Sequence, residues 1–151
     1  METTFKIWRT NRNLYLDFFD KYTLEQLNKI PVGFSNNLIW NIGHIIVCQQ
    51  VLVYKSSNLQ GYLSQELFEL YKPGSKPTGK TSENEVKELK ELLISLMVKT
   101  ETDFYNGEFN IYNERSTSIG FHLGSLKEAI EYNNYHEGLH LGLMMNIRKF
   151  I

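Results

Sequence analysis

Two histidines near the C-terminal end of the chain, His136 and His140, stand four residues apart in a stretch with helical periodicity. In a helix, residues at this spacing leave the same face one turn apart, so both imidazoles can contact one divalent ion. The inward positions of this stretch also hold Asn133 and Glu137, and a buried polar group without a partner costs about 1 to 3 kcal/mol. The pair is therefore a candidate metal site; the alternative is two core histidines that hydrogen-bond to neighbouring side chains.

A metal ion needs at least a third protein ligand, and the chain has two other histidines, His44 and His122. His44 lies in the middle of an apolar predicted helix, and a helical bundle brings mid-helix positions to the same level. His122 falls in a predicted loop at the end of the bundle. The predicted ligands are therefore His44, His136 and His140, a set that suits Zn²⁺ or Ni²⁺ and leaves a coordination position for water or substrate.

Two side chains close to these histidines in sequence have more than one possible role. Glu137 is the only adjacent carboxylate and is a candidate catalytic base or a partner that orients a ligand imidazole. It is rotated by about 100° from His136 on a helix, so a helix-surface or inter-subunit role is the alternative. Cys48, one turn after His44, is either a fourth ligand or a small core residue.

Two other metal sites are excluded by the sequence. Residues 136–140 match the H-E-x-x-H motif of zinc proteases, but that motif needs a further ligand downstream. None of the eleven residues after His140 is His, Asp, Glu or Cys. A di-iron bundle needs two Glu-x-x-His elements, and Glu137 with His140 forms the only one.

The elements that must position these residues are four long helices, predicted from hydrophobic periodicity over about residues 4–21, 37–56, 83–105 and 125–149. Capping-box patterns begin at Thr23, Ser82 and Ser125, and Ser35 or Asn36 is the predicted N-cap of the second long helix. There is no alternating strand pattern and no internal repeat. We expect one domain, residues 1–151, with the fold of an all-α four-helix bundle that has short extra helices in its connections.

The second long helix is apolar on every face, which is unusual for a helix at the surface of a small domain. Such a helix needs neighbours on several sides. It must therefore lie either at the centre of the bundle or at a subunit interface.

Composition excludes several classes of protein. Lys and Arg number 16 against 17 Asp and Glu, so no basic excess exists for binding nucleic acid. The most apolar stretch, residues 38–54, contains Asn41, His44 and two glutamines and is too polar for a membrane span. A single cysteine and the lack of a secretory signal pattern lead us to expect a cytoplasmic protein.

The segments Trp40-Asn41-Ile42-Gly43-His44-Ile45 and His136-Glu137-Gly138-Leu139-His140-Leu141-Gly142 resemble those of the DinB/YfiT family of four-helix bundles, and helix spacing extends the resemblance over nearly the whole chain. The resemblance implies that His44, His136 and His140 bind a divalent metal, often Zn²⁺ or Ni²⁺, and that the protein is a homodimer.

Known activities in that family include thiol-dependent S-transferases, isomerases that use mycothiol, and amide-bond hydrolases. The resemblance thus implies a metal-dependent enzyme of the S-transferase or hydrolase type, with a small-molecule substrate; for the S-transferase type a low-molecular-weight thiol is the implied partner. The alternative is a non-catalytic bundle with a structural or vacant metal site that acts through dimer assembly.

Overall fold

The computed structural model describes all 151 residues as a helical bundle. Its helices are α1 (Glu2–Lys21), α2 (Leu24–Asn28), α3 (Leu38–Val53), α4 (Gln65–Tyr71), α5 (Glu83–Tyr105) and α6 (Leu126–Ile147). Single 3-10 turns follow at Lys55–Ser57 and Arg148–Phe150, and strands β1 (Arg115–Ser116) and β2 (His122–Leu123) form a short antiparallel hairpin. The predicted all-α four-helix bundle is confirmed, with α1, α3, α5 and α6 as its long helices.

The four long helices form a ring in which α1 and α3 lie diagonally opposite each other. Both of these helices pack against α5 and against α6. The contact between α3 and α6 is the most extensive in the molecule, and these are the two helices that carry the three predicted ligand histidines.

Helix α3 is the central element of the bundle. Fifteen of its 16 residues are buried, because α2, α4 and the 3-10 turn after α3 cover the sides that do not contact α5 or α6. Of the two locations predicted for this helix, the structure shows the central one. Its apolar surface is used within one subunit and therefore gives no support to the predicted homodimer, which stays a prediction.

Helix boundaries agree with the predicted ones within a few residues, but the caps differ at two helices. The N-cap of α3 is Asn37, whose Oδ1 accepts from the Trp40 amide at 2.8 Å, and not Ser35 or Asn36. Complete capping boxes occur at Thr23 and Ser82.

At Ser125 the capping box is incomplete. The hydroxyl accepts from the Glu128 amide at 3.3 Å, while the Glu128 carboxylate accepts from Gly124 N instead of the N-cap amide.

The connections contain two elements that no sequence pattern specified individually. Helix α4 lies in the region between residues 57 and 81, and a loop over residues 72–80 follows it. The hairpin β1–β2 lies in the irregular connection before α6, with Gly120 at a φ of 82° in its turn. Both elements contribute to the candidate site described below.

A layer of buried polar groups crosses the bundle and joins all four long helices. Arg12 on α1 donates to Glu137 on α6, to Gln49 on α3 and to the Leu93 carbonyl on α5. The Gln49 side chain donates in turn to Thr100. Because each of these groups has partners, the layer fixes how the helices are aligned without leaving a charge unpaired.

None of the six α-helices is both long enough and apolar enough to cross a lipid bilayer.

Candidate metal centre

Three imidazole rings converge between α3 and α6. The ring centroids of His136 and His140 are 4.6 Å apart, and the ring of His44 lies 5.4 Å from that of His136 and 4.8 Å from that of His140. His136 and His140 are one turn apart on α6, as their spacing predicts. The structure therefore brings together the three histidines selected from the sequence.

The ring of His44 is oriented by α4. Its Nδ1 lies 2.8 Å from the Tyr71 carbonyl oxygen, which can only accept, so Nδ1 carries the proton and Nε2 carries the lone pair. The indole of Trp40 stacks on the imidazole of His44, with ring centroids 4.7 Å apart. Gly43 allows this arrangement, because a Cβ at this position would overlap the Tyr71 ring.

The ring of His140 is oriented by Asn41. The Nδ2 of Asn41 donates to the Asn36 side chain and to the Asn37 carbonyl, so its Oδ1 is the acceptor for His140 Nδ1 at 2.7 Å. The Nε2 of His140 is therefore also unprotonated and available to a metal. Hydrogen bonds of this kind to the second ring nitrogen are typical of metal-ligating histidines.

The third ring, that of His136, has a buried Nδ1 with no hydrogen-bond partner. An orphaned ring nitrogen next to two oriented imidazoles is what a site for a divalent ion would show. Three imidazole nitrogens are a donor set that suits Zn²⁺ or Ni²⁺, and the three ring centroids lie 4.6 to 5.4 Å apart. The residues present therefore fit such an ion.

Burial keeps the three imidazoles neutral at neutral pH. Desolvation, with a smaller contribution from the neighbouring rings, lowers the pKa of His136 to about 4 and that of His140 to about 3. Desolvation also lowers the pKa of His44, against the opposing effect of the Tyr71 carbonyl. Neutral imidazole is the form that binds metals, so the histidines need not lose protons when an ion binds.

Cys48 joins this group of side chains. Its Sγ lies 3.3 Å from His44 Nε2, and the ligand atoms of His44, Cys48 and His136 all lie within 4.8 Å of one another. Burial raises the pKa of the thiol to about 12, so without a metal Cys48 is protonated at neutral pH. This group does not include His140, so the structure places Cys48 as a possible ligand beside His44 and His136.

Glu137 is neither at the surface of the helix nor directed at the histidines. Its carboxylate is fully buried and accepts from Arg12, from Trp8 Nε1 at 2.8 Å and from Asn133 Nδ2 at 2.8 Å. None of its partners is a ligand imidazole. These contacts exclude the predicted surface role and favour a structural role over that of a catalytic base, because both oxygens already accept from buried donors.

His122 lies outside the centre, as predicted, but on strand β2 and not in a loop. It is exposed, and its Nε2 is 3.3 Å from a Glu114 carboxylate oxygen.

Two residues of the polar layer, Arg12 and Gln49, were not predicted from the sequence, although the position of Arg12 indicates its burial. Arg12 follows Trp8 by four residues and precedes Tyr15 by three, so it occupies a position in the apolar stripe of α1. A charged residue in such a stripe predicts a buried partner of opposite charge, which is Glu137. Gln49 gave no comparable signal, because the residues around it are apolar on every face of α3.

His44 and His136 form part of the wall of a cleft with a volume of about 180 Å³, whereas His140 does not line it. Cys48 and Tyr132 lie beside them, and the hairpin supplies Arg115, Thr117 and Ser118 on the other side. Helix and hairpin together leave the cleft open to solvent, so a small molecule can approach the imidazoles of His44 and His136.

Fold and site together define a four-helix-bundle protein with a candidate three-histidine metal centre in an open cleft. The family model of the DinB superfamily matches residues 7–144, and this chain belongs to that superfamily. A search of curated proteins found no match to the chain.

Proposed function

We propose that this protein is a metal-dependent enzyme that binds one Zn²⁺ or Ni²⁺ through His44, His136 and His140 and transfers a low-molecular-weight thiol to a small electrophilic substrate. The observation that carries the proposal is the convergence of three neutral imidazoles beside a cleft open to solvent, which His44 and His136 line. Three protein ligands with solvent access are typical of catalytic metal sites, whereas structural sites are closed by four.

A divalent ion in this position supplies Lewis-acid chemistry, lowering the pKa of a thiol or water bound next to it. The residues of the chain orient the ligands and limit access. Tyr71 and Asn41 hold the rings of His44 and His140, and Trp40 shields one face of His44.

Thiol transfer is supported over hydrolysis by the side chains that line the cleft. No Asp or Glu is among them, and Glu137 is engaged by Arg12. Metal-dependent amide hydrolysis commonly uses a carboxylate to move protons between the attacking water and the leaving group. A thiol needs only to lose its proton, which the ion promotes.

The proposed reaction is a substitution. The thiol releases its proton to solvent, its sulfur forms a bond to the electrophilic carbon, and the bond from that carbon to the leaving group breaks. The leaving group departs with the electron pair. No oxidant or reductant is required.

The test uses zinc-loaded protein with mercaptoethanol as thiol and chlorodinitrobenzene as electrophile, and it follows the absorbance of the thioether product. We expect turnover above the uncatalysed rate, lost on chelation and in the H136A/H140A variant. His122→Ala is the matched control, since it removes an exposed histidine outside the centre. Equal turnover in H136A/H140A and wild type would contradict the proposal.

A structural ion is the second candidate, and the position of Cys48 is what favours it. If Cys48 completes a four-ligand set with the histidines, the ion is closed to substrate and stabilises the fold. Cys48→Ser separates the two. A catalytic centre with three histidine ligands keeps its zinc in this variant, whereas a closed centre loses zinc affinity by at least about tenfold.

The homodimer and the cytoplasmic location implied by the sequence belong to this proposal as well. The cleft does not require a second subunit, because all of its lining residues come from one chain.

A further inference from the structure

The cleft in front of the histidines has a second polar wall, formed by the hairpin. Arg115, Thr117 and Ser118 line it opposite His44, Cys48 and His136. Nothing in the proposed binding of a metal by the histidines uses these three side chains.

The hairpin is held firmly enough to present these side chains in one place. Leu123, which pairs with Arg115 across the two strands, is completely buried. Thr117 closes the turn, since its amide donates to the Phe121 carbonyl at 2.8 Å and its hydroxyl accepts from the Phe121 amide at 3.0 Å. Two residues before Arg115, both the amide and the side chain of Asn113 donate to the Ser56 carbonyl, which anchors the segment beyond the end of α3.

Arg115 is the only formally charged side chain that lines the cleft. It forms no ion pair, because the neighbouring carboxylate of Glu114 is directed at His122. A divalent ion bound by the histidines would add to the positive charge, and no Asp or Glu lines the cleft to compensate it. The chain as a whole has a net charge of -1, and the positive potential is therefore local to the cleft.

We infer that Arg115, together with the hydroxyls of Thr117 and Ser118, binds a carboxylate of the substrate thiol while its sulfur faces His44 and His136. A guanidinium offers two parallel N–H groups that match the two oxygens of a carboxylate, and hydroxyls add further donors. The substrate class is then a small thiol that carries a carboxylate. This inference rests on the proposed function, because it requires the thiol to bind in this cleft.

The test compares two thiols of similar size by calorimetric titration of zinc-loaded protein. Mercaptopropionate carries a carboxylate, and mercaptoethanol carries a hydroxyl in its place. We expect the ratio of the affinities for mercaptopropionate and mercaptoethanol to be about tenfold larger in wild type than in Arg115→Gln. This is the effect of losing one charge-assisted pair that is partly open to solvent. Comparing this ratio between proteins cancels the different basicities of the two thiols.

Two further variants define the interaction. Arg115→Lys keeps the charge but not the paired donors, so its preference should be intermediate. Arg148→Gln removes an exposed arginine at the C-terminal end of α6 and should leave the preference unchanged.

The outcomes separate this inference from the proposed function. If both thiols bind and Arg115→Gln leaves their affinity ratio unchanged, the carboxylate site is wrong while the thiol-binding centre stands. If neither thiol binds to the zinc-loaded protein, both the centre's proposed role and the carboxylate site are wrong.

Discussion

The ligand role of each histidine in this site depends on the hydrogen-bond partner of the ring nitrogen that would not bind the metal. His44 and His140 each use Nδ1 to bond a fixed oxygen, from Tyr71 and Asn41 respectively. The pair at positions 136 and 140 was readable from sequence because helical spacing alone places both rings on one face. The hydrogen bond from His44 to the Tyr71 carbonyl could not be predicted from the sequence, since it depends on where α4 packs.

Asn41→Ala should weaken zinc binding by about 10- to 100-fold, as for the loss of a hydrogen bond that orients a ligand imidazole. The physical reason is that His140 then loses the acceptor that sets its tautomer and its rotation. Competition with a chromophoric chelator measures the affinity.

The matched control for this experiment is Asn134→Ala. Asn134 is a partly buried amide on α6 that donates to the Thr4 carbonyl, away from the histidines. Equal zinc affinities in the Asn41 and Asn134 variants would contradict the role given to Asn41.

Glu137→Ala should destabilise the protein by about 3 to 5 kcal/mol, because it leaves the buried guanidinium of Arg12 without its carboxylate. Urea denaturation measures the loss. In the fraction that remains folded, zinc content should stay at one ion per chain. A variant of unchanged stability that has lost only thiol transfer would instead identify Glu137 as the catalytic base.

At the scale of elements, periodicity and capping patterns predicted the four long helices, and α5 has the predicted bounds. The remaining elements could not be predicted in the same way. Strands β1 and β2 have two residues each, which is too short for an alternating pattern, and α4 spans only two turns. Arg115 enters the cleft through such an element, so its role could not be predicted from the sequence.

Gly43→Ala tests how closely α3 and α4 must approach. The added methyl group would overlap the buried Tyr71 ring, so α4 must shift and with it the carbonyl that orients His44. Overpacking of this kind costs about 1 to 3 kcal/mol. We expect both lower stability in urea and weaker zinc binding.

Gly138→Ala is the control for that experiment, since a Cβ there meets no atom within 4 Å and the residue lies between the two ligands on exposed helix surface. It should raise stability by about 0.5 to 1 kcal/mol through helix propensity. If Gly43→Ala were equally stabilising, the close contact between α3 and α4 would be wrong.

In the molecule as a whole, the bundle carries three neutral imidazoles, of which His44 is buried and His136 and His140 are partly buried. Sequence reasoning anticipated them as inward-facing polar groups but left α3 either central or at an interface. Only the packing of α2 and α4 over α3 decided between those two locations, since both satisfy the same apolar pattern.

The metal-free protein should lose stability as the pH falls from about 6.5 towards 4. In this window the unfolded chain takes up protons on its histidines, while the folded pKa values of His136 and His140 are about 4 and about 3. Because the unfolded state binds more protons, stability decreases with decreasing pH, on the order of 1 kcal/mol for each histidine near pH 5.

Thermal melts between pH 7 and 5 check this expectation. The H136A/H140A variant should show a smaller decrease in melting temperature than wild type over the same interval, whereas His122→Ala should not differ from wild type. A decrease of the same size in all three proteins would show that the buried histidines do not cause it.

The central claim is that His44, His136 and His140 form one metal centre, and metal content per chain tests it most directly. Elemental mass spectrometry would be applied to wild type, H136A/H140A and His122→Ala after equilibration with Zn²⁺ or Ni²⁺ and removal of free ions. We expect about one ion per chain in wild type and His122→Ala and none in H136A/H140A. One ion per chain retained in H136A/H140A would contradict it.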